Sequence, residues 1–178
     1  MRLNLVPHPD TPPAAPGFSV WASIDIAASL GATGTAHVDF GVGAPAGRFV
    51  IPPPALPQRI DGLWNSTCFE AFLRPKGQVF YREWNFSPSS HWAAYDFDGY
   101  REDRADAAVT APPYIRMEDN LTWWSVGAAF VIESGQRWNL GLSAVLKEKD
   151  GTKSYWALAH PPGQPDFHHD DCFAVTVA

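Results

Sequence analysis

The chain has 178 residues, 46% hydrophobic and 18% charged, and 13 Lys and Arg against 19 Asp and Glu give a formal net charge of −6. Eight Trp, 11 Phe and 5 Tyr exclude a disordered chain, and the length suits one domain, residues 1–178, with a sizeable core. An acidic balance without basic runs argues against nucleic acid and membrane partners.

The first residues, Met1-Arg2-Leu3-Asn4-Leu5-Val6-Pro7, carry one positive charge and lack the apolar run of a secretory signal, so a cytoplasmic location is expected. Cys68 and Cys172 are then expected to be free and buried. Further along, stretches rich in β-branched and aromatic residues predict strands at 18–27, 34–40, 67–74, 79–86, 92–97, 114–117, 120–132, 138–149, 153–159 and 172–177. Prolines punctuate them in pairs and triplets, as at Pro12-Pro13, Pro52-Pro53-Pro54, Pro112-Pro113 and Pro161-Pro162, where a central strand cannot run. Ten short strands without a sustained helical stripe predict an all-β, single-domain β-sandwich or jelly roll.

Two hairpins can be read for register. Asp150-Gly151 suits a two-residue type I′ loop, which would set Glu148 opposite Lys153 and Leu146 opposite Tyr155. Around Lys76-Gly77, a two- or four-residue loop would pair Phe72 with Tyr81, Glu70 with Glu83 and Cys68 with Asn85 on one face. The other face would carry Leu73 with Phe80, Ala71 with Arg82 and Phe69 with Trp84, and it reads as core. Two opposed carboxylates repel, so a cation, an Arg, a shared proton or a ligand's hydroxyls must offset them. A three-residue loop would dissolve the pair.

Three blocks carry a family resemblance: Leu63-Trp64-Asn65-Ser66-Thr67-Cys68-Phe69-Glu70-Ala71-Phe72-Leu73, Tyr81-Arg82-Glu83-Trp84-Asn85-Phe86-Ser87-Pro88-Ser89, and Ser154-Tyr155-Trp156-Ala157-Leu158-Ala159-His160-Pro161. With Pro165-Asp166-Phe167-His168-His169 they resemble bacterial DOMON-like proteins of the superfamily that includes family 9 carbohydrate-binding modules. That resemblance implies a β-sandwich and a sugar ligand, or haem in other branches. It implies a Trp and a Glu at the start of one strand, which Trp64 and Glu70 match, and a second Trp, for which Trp156 stands. Asn85 lies near a position where those modules carry an Arg.

Sugar capture asks for flat aromatic faces and for polar groups that bind several hydroxyls. Trp64, Trp156, Glu70, Glu83 and Asn85 supply both, with His160 at the rim; the structural alternative is that both Trp rings are core. The ligand expected is a small, sugar-like molecule, with no protein partner specified. Asp166, His168 and His169 are the candidate metal ligands in an acidic, His-containing segment that otherwise reads as a hydrogen-bonded loop. No cofactor is called for. Calcium would draw on the same carboxylates, and haem would need Met117 with His91, His160 or His168, none singled out by spacing. The second class is a carbohydrate-acting enzyme using Glu70 and Glu83 as acid and base; a third is a protein-interaction domain.

Overall fold

The computed structural model describes residues 2–27 and 31–177. Among these the fold is all-β, with three single 3-10 turns and no α-helix. The strands are β1 (Arg2–Pro7), β2 (Val20–Ala27), β3 (Thr33–Val42), β4 (Cys68–Pro75), β5 (Tyr81–Phe86) and β6 (Trp92–Phe97). They continue as β7 (Ala105–Asp106), β8 (Tyr114–Asp119), β9 (Trp124–Glu133), β10 (Trp138–Lys147), β11 (Lys153–Ala157) and β12 (Val175–Val177). They form one curled antiparallel sheet in the order β7-β6-β5-β4-β10-β11-β1-β2-β3-β9-β8, with β12 beside β11 on the same edge of β10.

The curl brings distant strands face to face. Phe40 of β3 stacks on Phe69 of β4 at 5.1 Å between centroids, and Trp84 of β5 meets Phe130 of β9 at 4.8 Å. Removing these large apolar surfaces from water is the main force that holds the two halves together. On the other side of β4, β5 and β10 a smaller cluster forms around Phe72, Tyr81, Tyr95, Phe97 and Phe167. Strand β4 is therefore buried on both faces: Phe69, Ala71 and Leu73 join the main core, while Cys68, Glu70 and Phe72 point the other way.

Sequence patterning locates most strands and misses two. β1 was read only for its lack of a signal, yet its Leu3 and Leu5 alternate as a strand requires. β7 has only two residues. At the C-terminus the predicted strand begins late, because Asp170–Cys172 form a 3-10 turn before β12.

Both hairpin registers are corrected. At Asp150-Gly151 only Gly151 has positive φ, +97°, whereas a type I′ loop needs it at both positions. Lys149, Asp150 and Gly151 instead form a three-residue loop closed by the Glu148 carbonyl accepting from Gly151 N–H at 3.0 Å. Lys147 then faces Lys153, and Leu146 faces Ser154. Glu148, freed from Lys153, is buried against Arg48 in an ion pair and accepts the Ala14 N–H at 2.8 Å.

The β4–β5 register slips by two. Glu70 faces Asn85, Phe72 faces Glu83 and Leu73 faces Arg82. A slip of two preserves each residue's face, whereas a slip of one would exchange them. The longer connection carries Phe80 out of the ladder, so it is 48% exposed and not core. Arg82 makes a two-pronged bond to Asp96 on β6, at 2.6 and 2.9 Å.

Candidate functional site

The outer face of β4, β5, β10 and β11 is roofed by the turn Leu63–Asn65, the loop at 98–104 and the segment at 158–173. Gly62, at φ +74°, permits the left-handed step that starts the Leu63–Asn65 turn. Trp64 thereby lies edge-on to Tyr95, with ring centroids 6.0 Å apart. Arg101 and Asp103 also take positive φ, at 55° and 49°, a conformation that costs non-glycine residues energy and is held by surrounding contacts. For Arg101 those contacts are visible: its side chain donates to Asp166 at 2.8 Å, Tyr100 donates to the same carboxylate, and the Arg101 N–H donates to the Tyr81 hydroxyl at 3.2 Å. The two roof segments are thus clasped to each other at Asp166.

Beneath them is a cleft of about 340 Å³ lined by Trp64, Phe97, Tyr155 and Phe167, with Glu70 and Glu83 at its polar side and Arg101, Arg104 and His168 around them. Pockets of this size, with few polar groups between aromatic walls, suit small molecules. Glu70 is 4% exposed and Glu83 5%. Ser143 Oγ–H donates to Glu70 at 3.0 Å, and the Asn85 amide donates to Glu83 at 2.5 Å. Among the described residues, neither carboxylate has an Arg or Lys within ion-pairing distance; His168 Nε2 comes within 3.6 Å of Glu83.

This environment favours the protonated acids. Burial first, and the neighbouring Glu83 second, push Glu70 up to about 8. Burial also raises Glu83, opposed by the Asn85 amide and by the charges of Arg101 and Arg104. His168 is pushed down to about 4 by burial and by Arg101. Its Nδ1 lies 2.7 Å from the Tyr81 hydroxyl; with that hydroxyl donating, the neutral ring turns its Nε2–H toward Glu83. Cys68 lies behind the pair, its thiol 3.6 Å from Asn85 Oδ1. Burial and then the two glutamates raise its pKa, which disfavours the thiolate a nucleophile needs.

The structure brings Trp64, Glu70 and Glu83 to one cleft, with Asn85 fully buried behind Glu83. Of the other sequence candidates, His168 joins the lining of that cleft and the rest lie elsewhere. Trp156 is 4% exposed in the main core, its Nε1–H donating to Ser154 Oγ at 2.9 Å. The one-residue correction at the β10–β11 hairpin is the reason: Trp156 faces Ala144 on the core side, and Tyr155 faces Val145 on the cleft side. His160 lies outside the lining, its Nε2 2.9 Å from the Val6 carbonyl. Asp166, His168 and His169 do not converge. Asp166 holds Arg101 and Tyr100, His168 faces Tyr81, and His169 accepts the Asp171 N–H. Among the described residues no three His, Cys, Asp or Glu are grouped to hold a metal ion, and no helix is long and apolar enough to cross a membrane. Sequence reading missed Arg101, Arg104, Tyr155, Phe97 and Ser143. The charged run Arg101-Glu102-Asp103-Arg104 was the one signal available for the first two.

No family model and no curated protein matches the sequence. Among solved structures, a protein of Bacteroides uniformis proposed to bind carbohydrate is similar, with a TM-score of 0.62 and 15% identity over 97% of this chain and 83% of that one. A family 9 carbohydrate-binding module from Caldicellulosiruptor kristjanssonii aligns in its glucose complex at a TM-score of 0.48, with 10% identity over 84% of this chain and 71% of that one. Its cellotriose complex aligns at 0.47, with 11% identity over 84% and 70%. At such identities the likeness to the Bacteroides protein is one of fold.

Proposed function

We propose that this is a DOMON-like β-sandwich that binds a carbohydrate or sugar derivative in the cleft at Glu70 and Glu83. The observation that carries the reading is a pair of buried carboxylates beside aromatic walls, in a cleft sized for a small ligand. A sheet gains nothing from burying two acids side by side; hydroxyl donors from a sugar offset the cost. Trp64, half-buried on its turn, supplies a ring for pyranose C–H groups, and Tyr155 takes the role expected of Trp156. Glu70 and Glu83 bind hydroxyls, while Asn85 positions Glu83. The reading draws on no cofactor. The shared fold with a Bacteroides protein proposed to bind carbohydrate supports it.

A calorimetric titration with neutral, amino and acidic monosaccharides and with disaccharides tests the reading. One or more should bind, and Glu70→Gln should weaken binding about two- to tenfold, the range for losing one hydrogen bond. Absence of binding across the panel, or unchanged affinity in both Glu70→Gln and Trp64→Ala, would refute it. A second reading has its own support: a protonated Glu70 beside a Glu83 partly relieved by Asn85 and two arginines resembles an acid and a base held in one cleft. Bond cleavage of a bound saccharide, lost in Glu70→Gln, would establish that enzyme; binding without turnover would exclude it.

A further inference from the structure

We propose that the ligand carries a positively charged nitrogen, and that among sugars the cleft selects an amino sugar with a free ammonium over its neutral and acidic counterparts. The inference rests on the reading of the cleft as a sugar site and specifies the ligand's charge.

Three features lead to it. First, the polar side is acidic and no Arg or Lys of the described residues is paired with it; Arg101 and Arg104 act on it only at longer range. Glu70 and Glu83 share one face of adjacent strands, both buried, and the groups that touch them are neutral: the Ser143 hydroxyl, the Asn85 amide and the imidazole of His168. Glu70 Oε1 has no hydrogen-bond partner among the described residues, and Glu83 Oε2 has only the long, 3.6 Å approach of His168 Nε2. A neutral sugar would donate hydroxyls but bring no charge that lets both acids ionise. An ammonium brings three donors and a full positive charge.

Second, the two arginines of the lining are engaged away from the pair. Arg101 is bound by Asp166, and Arg104 lies over the Tyr95 ring at 4.8 Å. They screen the carboxylates at the rim without filling the space between the oxygens and the ligand. Third, the walls are Trp64, Phe97, Tyr155 and Phe167. Aromatic faces attract cations through their quadrupoles, and combining them with acidic groups is a recurrent way to capture an ammonium. An acidic sugar would bring its carboxylate into the cleft that holds Glu70 and Glu83, with Arg104 the cation left to receive it, so glucuronate is the control.

A proton is linked to this event. Glu70 is faced by Glu83 on β5, Cys68 on its own strand, Tyr155 on β11, and Arg101, Arg104 and His168 from the roof. When the ammonium enters, Glu70 gives up its proton to solvent and the ligand's charge replaces it. No covalent bond changes.

The test is calorimetry at pH 7 with glucosamine, galactosamine and mannosamine against glucose, galactose and mannose, N-acetylglucosamine and glucuronate, repeated in two buffers of different ionisation heat. At least one amine should bind about tenfold or more tighter than its parent sugar, a difference of about 1.4 kcal/mol. Acetylation of its nitrogen should abolish the gain, and binding should release a proton. In Glu83→Gln and Glu70→Gln, checked for folding by thermal melting, the amine should lose more affinity than its parent sugar does, so that its advantage disappears. Parent sugars that bind as tightly as the amines, or glucuronate that binds tighter, would overturn the inference and leave the sugar site standing. No binding by any of these sugars would overturn both.

Discussion

Replacing Glu70 with Gln isolates one charge in the buried pair, and its effect on folding can be worked out in advance. The side chain keeps its shape, and its amide oxygen still accepts from Ser143 Oγ–H. Glu70 is raised from an ordinary 4.5 to about 8 in the folded protein. Between those two values the folded chain retains a proton that the unfolded chain has lost. Unfolding then releases a proton, so stability is greatest below pH 4.5 and declines as pH rises through about 8. At about 1.4 kcal/mol per pH unit, the whole window amounts to at most about 5 kcal/mol. Between pH 5 and pH 7 the wild type should lose about 2–3 kcal/mol more than the Gln variant. Urea unfolding at pH 5, 6, 7 and 8 measures both chains, and an unchanged slope against denaturant keeps the comparison valid. His168, pushed down to about 4, adds the opposite trend below about pH 6.5, but it does so in both proteins. Parallel stability profiles for the two chains would refute the claim that Glu70 is folded as the acid.

The two sequence-selected tryptophans should separate cleanly. Trp156→Ala removes a core side chain and should cost about 3–5 kcal/mol in denaturant unfolding, whereas Trp64→Ala should leave most of the stability and remove sugar binding. Equal stability losses would contradict their placement on opposite faces. Glu148→Ala leaves Arg48 and the Ala14 N–H without their partner and should lower stability by about 2–4 kcal/mol; a change under about 0.5 kcal/mol, the scale of ordinary surface substitutions, would show that the buried ion pair contributes nothing.

How far the sequence reveals this molecule depends on whether a feature needs parity or count. Strand faces follow from alternation, so Glu70 and Glu83 could be assigned to one face from residue types alone. Their pairing needed the length of the Lys76-Gly77 connection, which composition does not set, and the two-residue error cost only Phe80 its place in the core. At Asp150-Gly151 a single-residue error had the larger effect, because it exchanged Trp156 with Tyr155 across the sheet. A turn that accepts positive φ at only one of two positions looks almost the same in sequence as one that accepts it at both. Arg101, Arg104 and Asp166 come from loops far apart in the chain, and no local pattern announces that such loops meet. Trp64 was selected by its resemblance block, which set it with Glu70 at the start of a strand, whereas it stands on the turn before that strand.

Strand β1 sets a timetable for folding. It sits where the two halves of the sheet meet, paired with β2 on one side and, through Val6↔Ala157 and Pro7↔Trp156, with β11 on the other. Its β2 partner begins at Val20, soon after β1 ends at Pro7, but its β11 partner emerges from the ribosome about 150 residues later, or roughly 8–30 s at ordinary synthesis rates. Throughout that interval the growing chain exposes an unfilled edge on β1. The seam closes only once β11 has been made, so the cleft, built on β4, β5, β10 and β11, takes shape after the strands that precede it.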